Sequence, residues 1–570
     1  MRTIDVDVLV VGTGFGAAAP ALRLARAGHR VVMIEKGPWV EAPRDFRQTQ
    51  DPKYLLRYLH SLPGRSFNLT YAEALGGGSG FYEMISIRAP SVAFERTDEA
   101  GRRLWPAGVD RAALDPWFGI AEEMLHVRQI REEEVPKTGL VFSLFLKRLG
   151  YSCDRVGHAV NGCLQSGFCV TGCIYGAKQS LHLNYLPQSR AAGARVIAGL
   201  EAVSVRPLGA PAPAEPGAPL RRVPLRWEVV CRERPVDGGP EAAADGPGAG
   251  GDAAAGSRGG APAATRRGQA PDGLRRFRAR LVVLAGGSLG TASLLLASRE
   301  HLPGLSPAVG RRLAFDGAVQ AVGLLPDGMP DCDTFTGRSH PGMVSYEFLE
   351  SHGVTVTAAK PFPLQAVAAA RFRLRGAPED DWWGEPHVEL MKRYRRRMMI
   401  LCAFGMPPGA ARLELRDGRP RVSLELTPAL RRYHERTREL LESILVRNGC
   451  RLVDPEFVDR EGKPFDDLRF STAHQLGTCP MADSPERGVA DASGEVFGCP
   501  GLYVSDGSAL PGPLPVSPSL TILANAERIA AGIVGRYSPE APAASWTARR
   551  RPGVTMSRSR MSRASAATNA

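Results

Sequence analysis

The histidine in Ala473-His474-Gln475-Leu476-Gly477 stands just ahead of a glycine turn. Imidazole titrates near neutral pH when unperturbed, so it is well suited to taking a hydroxyl proton. Further on, the apolar run Gly501-Leu502-Tyr503-Val504 opens into the acidic turn Ser505-Asp506-Gly507-Ser508, and Ser517-Pro518-Ser519-Leu520-Thr521-Ile522 begins a helix. A helix N-terminus presents free N–H groups and positive dipole potential to an anion or an electron-rich ring edge. Taken alone, His474 is as readily a structural histidine as a base, so the elements that must position it decide.

Those elements begin at the other end of the chain. Asp5-Val6-Asp7-Val8-Leu9-Val10-Val11 is apolar and β-branched enough for a buried parallel strand, and it runs into Gly12-Thr13-Gly14-Phe15-Gly16-Ala17. In such a turn Gly12 permits the tight bend, Gly14 lets the backbone approach a pyrophosphate, and the small Ala17 lets the next helix pack closely. Phe15 and Gly16 complete the candidate cofactor-binding turn. The helix closes at Gly28, and Val31-Val32-Met33-Ile34-Glu35 predicts a second strand ending in an acid. Glu35 follows the glycines by about 20 residues, where a carboxylate hydrogen-bonds a ribose hydroxyl. Strand, turn, helix, strand and terminal acid in this order specify a dinucleotide cofactor.

Two features select FAD over a nicotinamide. Leu75-Gly76-Gly77-Gly78-Ser79-Gly80 is a second glycine-rich loop able to run flush against a cofactor, with Gly77, Gly78 and Ser79 as candidate contacts. Arg280-Leu281-Val282-Val283-Leu284-Ala285-Gly286-Gly287 is another buried strand ending in small residues before a helix.

With these blocks and the Trp105-Pro106 and Leu114-Asp115-Pro116-Trp117 landmarks between them, residues 1–205 and 275–537 resemble the glucose-methanol-choline (GMC) oxidoreductase family. Within it the chain is most similar to cholesterol oxidases and related bacterial enzymes for bulky alcohols. The resemblance implies an α/β fold: a Rossmann-like FAD-binding domain and an α+β substrate domain whose antiparallel sheet roofs the flavin. It assigns residues 1–85, 190–316 and 470–537 to the first domain and residues 86–189 and 317–469 to the second. It also implies that Val203 lies near the adenine and that Asp506 and Gly507 touch the cofactor. Periodicity alone supports only an α+β layer for the second domain. Within that layer Thr427 is set to cap a helix from Pro428 through Val446, and Arg421 to Leu426 alternates as a half-exposed strand should.

Composition bounds the rest. The 570 residues, 44% of them hydrophobic, suffice for two domains with full cores. The first strand starts almost at Met1, and no apolar run nears the roughly 20 residues that span a bilayer, so the expectation is a cytoplasmic protein with no transmembrane segment and cysteines kept as thiols. The net charge of +13 does not signal nucleic acid, because six arginines fall in the acid-free final thirty residues, part of a tail 538–570 that is expected to be disordered. The Gly-, Ala- and Pro-rich stretch at about 235–273 is expected to be a flexible insertion, flanked by a hairpin of Trp227-Glu228-Val229-Val230 and Phe277 to Leu284.

Cys153, Cys163, Cys169 and Cys173 crowd one segment. Ser166 stands where a tight C-x₂-C partner of Cys163 would fall, and duplicated zinc pairs are missing, so packed thiols and no metal are expected. A second reading stays open, since the three remaining thiols resemble the three-iron site of some flavin-dependent sugar dehydrogenases of the same family.

The chemistry follows from FAD and His474. An alcohol becomes a carbonyl when a base takes its hydroxyl proton and its α-hydrogen leaves as hydride to the flavin. Family enzymes pair this histidine with a second histidine or an asparagine, and here Ser517 holds that place, which makes His474 and Ser517 the catalytic candidates. A hydroxyl has a shorter reach than an amide. Tyr82 and Glu83, after the second glycine loop, either bind substrate or pack. The expected activity is oxidation of a bulky, largely apolar alcohol with oxygen or a quinone-type acceptor. A carrier-linked dehydrogenase and a flavin-binding protein without alcohol chemistry are the alternatives.

Overall fold

The computed structural model describes residues 2–49, 51–64, 66–209, 219–235, 273–334, 336–359, 371–378, 384–456, 468 and 470–538. The central part of the insertion, 236–272, and the basic tail from 539 onward lie outside the described residues.

Two seven-stranded sheets organise the molecule. In the first, the strand Arg2–Val11 lies between Val31–Glu35 and Leu274–Leu284, parallel to both, and Arg195–Ala198 extends the sheet beyond Val31–Glu35. The apolar runs are fully buried here because helices cover the sheet, as a parallel arrangement requires. Gly12 (φ +104°) then turns the chain into the helix Phe15–Arg26, whose Gly16, Ala17, Ala18, Ala19 and Ala21 are all buried and give close packing. The hairpin read from sequence is present: Trp227–Glu233 pairs antiparallel with Leu274–Leu284, starting three residues earlier on the return strand than its apolar pattern indicates. The C-terminal end of that strand pairs instead with Leu502–Val504, in parallel.

A buried ion pair joins the two ends of the chain. Arg23 on the first helix donates from Nε and Nη2 to Glu527 on the helix Ser519–Tyr537, each bond 2.9 Å, and the Tyr185 hydroxyl donates to the same carboxylate at 2.7 Å. A buried charge pair is tolerable when its remaining hydrogen-bonding positions are filled, and here they are. The pair sets the start of the last helix, just after Ser517, relative to the glycine turn.

The second sheet is antiparallel throughout, in the order Arg371–Leu374, Arg451–Glu456, Val319–Leu324, Met398–Gly405, Val354–Ala359, Met343–Ser345 and Asp154–Arg155. One face packs on the helices Pro428–Arg447 and Lys137–Arg148. Thr427 caps the former, its hydroxyl accepting from Leu430 N–H at 3.2 Å, as its sequence indicates. The alternating run read over Arg421 to Leu426 is strand only in Arg419–Ser423, paired with Arg412–Arg416 away from the large sheet. On the opposite face, Val322, Leu324, Met398 and Ile400 meet Leu390 and Tyr394 of the helix Glu385–Arg397. Beyond that helix the same face presents Phe404 and its register partner Thr355. Among the described residues no helix is long and apolar enough to cross a membrane.

Candidate active site

The two glycine loops face each other, and their glycines differ in what they would meet with a side chain. A Cβ on Gly12 would lie 2.2 Å from Ala285 O, and one on Gly16 would lie 2.5 Å from the Asp506 Cα, so both are required by protein packing. A Cβ on Gly14 meets only the Gly77 Cα, at 3.9 Å, and one on Gly78 meets nothing within 4 Å. Those two glycines therefore border a cradle that protein does not fill, and FAD fits it: backbone N–H groups at the start of the helix Phe15–Arg26 are placed for a pyrophosphate. Thr13 joins the loops, accepting from Gly76 N–H at 2.9 Å and donating to Glu35 at 2.7 Å.

Glu35 is buried, and its other oxygen accepts from Gly37 N–H at 2.9 Å. Burial pushes its carboxyl above the ordinary range while these donors pull the other way. Phe15 sets its ring edge-on to Tyr82, with centroids 5.4 Å apart, and Ala17 is fully buried. Ser79 bonds to Gly76 O and Leu181 N–H, so its hydroxyl shapes the loop. Val203 sits at a β-bulge, since Val230 pairs with Ser204 and Cys231 with Ala202, which leaves Val203 without a register partner in the ladder. The Asp506 carboxylate accepts from Gly287 N–H, the Thr291 hydroxyl, Ser508 N–H and the Ser508 hydroxyl, at 2.5–2.8 Å. Burial pushes its carboxyl up, those donors opposing it, so this side chain organises the turn beneath Gly16. Gly507 O accepts from Gly477 N–H at 3.0 Å, which ties the cofactor turn to the His474 loop.

Sequence reasoning missed Lys178. Its ammonium is buried and donates to the carbonyls of Gly80 and Cys169, both at 2.6 Å, and of Tyr82 at 3.1 Å. Burial lowers it to about 8. A lysine in the otherwise small Gly176-Ala177-Lys178 turn was the available signal. Tyr82 packs, its hydroxyl donating to Gln179 O at 3.0 Å. His182, also missed, lies against the second glycine loop, where burial lowers it to about 4 and keeps it neutral. Cys153, Cys163, Cys169 and Cys173 are free thiols, and among the described residues no group of three or more His, Cys, Asp or Glu is placed to hold a metal.

His474 is positioned by a backbone bridge. Ala314 and Leu476 exchange both hydrogen bonds, at 2.9 and 2.8 Å, so two residues along each segment Asp316 and His474 face each other. His474 Nδ1 lies 2.5 Å from Asp316 Oδ2. The Asp316 side chain is 2% exposed and that of His474 23%. Asp316 is the third residue missed by sequence reasoning; Phe315-Asp316-Gly317 reads only as a turn. The His474 ring is tilted against Phe404 with centroids 5.6 Å apart. Thr355, opposite Phe404 in the sheet, donates to Pro515 O at 2.5 Å. The segments carrying His474 and Ser517 thus reach the same pair of roof residues, and Ser517 is half-buried there.

A Rossmann-like sheet carrying an FAD cradle, roofed by an antiparallel sheet that meets a histidine, defines a class of flavin oxidoreductase. Residues 6–207 and 421–526 both match the GMC oxidoreductase family. The chain belongs to that family and is an FAD-dependent oxidoreductase. It is 27% identical to a cholesterol oxidase of Mycobacterium tuberculosis, over 92% of this chain and 90% of the relative. It is 24% identical to a long-chain-alcohol oxidase of Arabidopsis thaliana, over 93% of this chain and 67% of the relative. Among solved structures, formate oxidase of Aspergillus oryzae superposes with a TM-score of 0.62 at 13% identity, covering 95% of this chain and all of that one. Pyridoxine 4-oxidase from Mesorbium loti gives 0.59 at 15%, covering 92% of this chain and 99% of that one. At such identities these structures speak to the fold alone.

Proposed function

We propose that this protein oxidises the CH–OH group of a bulky, largely apolar alcohol, sterol-like or long-chain, with His474 as the proton acceptor. The observation that carries the reading is the half-open histidine against Phe404, with Nδ1 engaged by Asp316 and Nε2 left to meet a hydroxyl. The chemistry that FAD supplies when bound is acceptance of the hydride from the carbinol carbon. His474 takes the hydroxyl proton on Nε2, so that the O–H electron pair can form the carbonyl. Gly14, Gly77, Gly78 and the Val203 bulge hold the cofactor, and Glu35 supports the ribose end. The Phe404 ring offers an apolar wall to the substrate, while Gln320, the exposed side chain of its strand, adds a polar position on the same face. A sterol-like or long-chain substrate is supported by the names of the relatives.

The test is anaerobic flavin reduction with cholesterol in detergent micelles and with a long-chain primary alcohol, followed by admission of air to read whether oxygen is the acceptor. His474→Ala is expected to keep bound FAD and to slow reduction by roughly 10²–10⁴-fold, the span for losing a positioned base. Reduction at the wild-type rate in His474→Ala would remove the histidine from the reaction.

A further inference from the structure

We infer that Asp316 is the positioning residue through which His474 works, fixing the imidazole proton on Nδ1 so that Nε2 stays an acceptor. Asp316 supplies to the ring a polar partnership that the short Ser517 hydroxyl is poorly built to supply. The inference rests on the alcohol-oxidising reading for its kinetics, but its structural core does not.

Three observations converge. The contact is short, 2.5 Å between Nδ1 and Oδ2, and a carboxylate oxygen in that place is an acceptor for a ring N–H. The other oxygen, Oδ1, is buried and has no hydrogen-bond partner among the described residues. The imidazole N–H is therefore the donor that compensates this buried carboxylate, which favours the Nδ1–H tautomer over its alternative. The geometry is also imposed from outside the pair. The Ala314–Leu476 bridge sets the register, Gly405 N–H donates to Asp316 O at 2.7 Å, and the Tyr433 hydroxyl donates to Gly317 O at 3.1 Å. During turnover the alcohol O–H bond breaks and an Nε2–H bond forms while Nδ1 keeps its proton. The positive charge then appears beside a carboxylate in a water-poor site, where the attraction is strong.

Cys402 and Tyr433 face Asp316, and Arg96 and Glu83 act in turn on those two groups. Burial pushes the Cys402 thiol and the Tyr433 phenol up, with Asp316 adding to both, so they remain neutral across an ordinary assay range. Arg96 faces Tyr433, lowered by burial, and donates to Met406 O, while Glu83 adds to the upward push on Cys402. A change in pH profile on altering Asp316 is thus read through His474.

The first test is nitrogen-15 NMR of the histidines in the FAD-loaded full chain. We expect a neutral His474 protonated at Nδ1, with a low-field proton signal that disappears in His474→Gln; this needs neither a substrate nor an Asp316 variant. In Asp316→Asn the amide can donate to Nδ1, and the tautomer should shift to Nε2–H. The second test is stopped-flow flavin reduction by cholesterol or the long-chain alcohol. Asp316→Asn should retain FAD yet be slowed roughly 10²–10³-fold, with the deficit shrinking as pH rises because hydroxide increasingly replaces the lost base. A merely structural role would give a deficit that does not vary with pH. An Nε2–H tautomer in the wild type, or wild-type rates in Asp316→Asn, overturns the inference. The expected NMR pattern with an unaffected His474→Ala would instead leave the dyad standing and overturn the proposed alcohol chemistry.

Discussion

Around the two glycine turns, the deciding contacts are backbone against backbone: Gly12 on Ala285, Gly16 on Asp506, and Gly14 opposite Gly77. Around His474 they are side chain to side chain, between residues separated by 158 positions. The first kind of contact is specified by residue size, because only glycine permits the approach. The second depends on the register of a bridge between distant loops. The glycine-turn half is therefore sensitive to any added atom, whereas the half around His474 is sensitive to which polar group stands at a given register.

The largest contrast lies within the first turn. Gly16→Val drives a side chain into the Asp506 backbone and should destabilise the protein by roughly 3 kcal/mol or more, the upper end for overpacking. Gly14 has an ordinary φ of −75° and room for a Cβ, so Gly14→Val should fold normally and purify without flavin. Absorbance near 450 nm together with a thermal melt separates the two. A yellow Gly14→Val, or two variants with the same phenotype, would break the distinction between packing glycines and cradle glycines.

The same distinction explains what could be read from the chain. The first strand, its glycine turn, the helix after it and Val31–Glu35 were legible, because burial, size and spacing act locally there. The hairpin of Trp227–Glu233 with Leu274–Leu284 was legible for the same reason, across a long insertion. Asp316 was not. Nothing in Phe315-Asp316-Gly317 announces a histidine partner, and the pairing exists only because Ala314 bridges Leu476. Lys178 left only the trace of a lysine in a small-residue turn, and its partners were hidden, since its three acceptors are carbonyls, which any residue supplies. The roof sheet came from family resemblance, because register among short apolar strands is set by tertiary pairing.

A smaller effect tests charge pairing within the roof half. Glu134 accepts from Arg128 at 2.6 Å through both oxygens and from the fully buried Arg338 at 3.0 Å. The Arg128 hydrogen bonds, opposed by partial burial, hold its carboxyl well below the ordinary range. A depressed folded-state pKa contributes stability above the unfolded value, about 4.3, and that contribution is lost as pH falls below it. Glu134→Gln, which leaves Arg338 uncompensated, should cost about 3 kcal/mol near neutrality. Melts between pH 7 and pH 3 should show the two proteins converging on the acid side. A constant gap would mean that the contribution of Glu134 is packing rather than charge.

The smallest effect belongs to Ser517. If Asp316 already fixes the His474 tautomer, an amide placed beside the ring has little left to add, and Ser517→Asn should reduce its flavin within a few-fold of the wild-type rate. Its effect should depend on Asp316. With Asp316→Asn as background, the new amide becomes the available polar partner, and Ser517→Asn should restore part of the lost rate. Residues acting on one group are non-additive, and a double-mutant cycle should give a coupling of roughly 0.5–3 kcal/mol. Additive effects would mean that Asp316 and Ser517 serve His474 separately, and a strong loss in Ser517→Asn alone would mean that the site is shaped around the smaller hydroxyl, leaving no room for an amide.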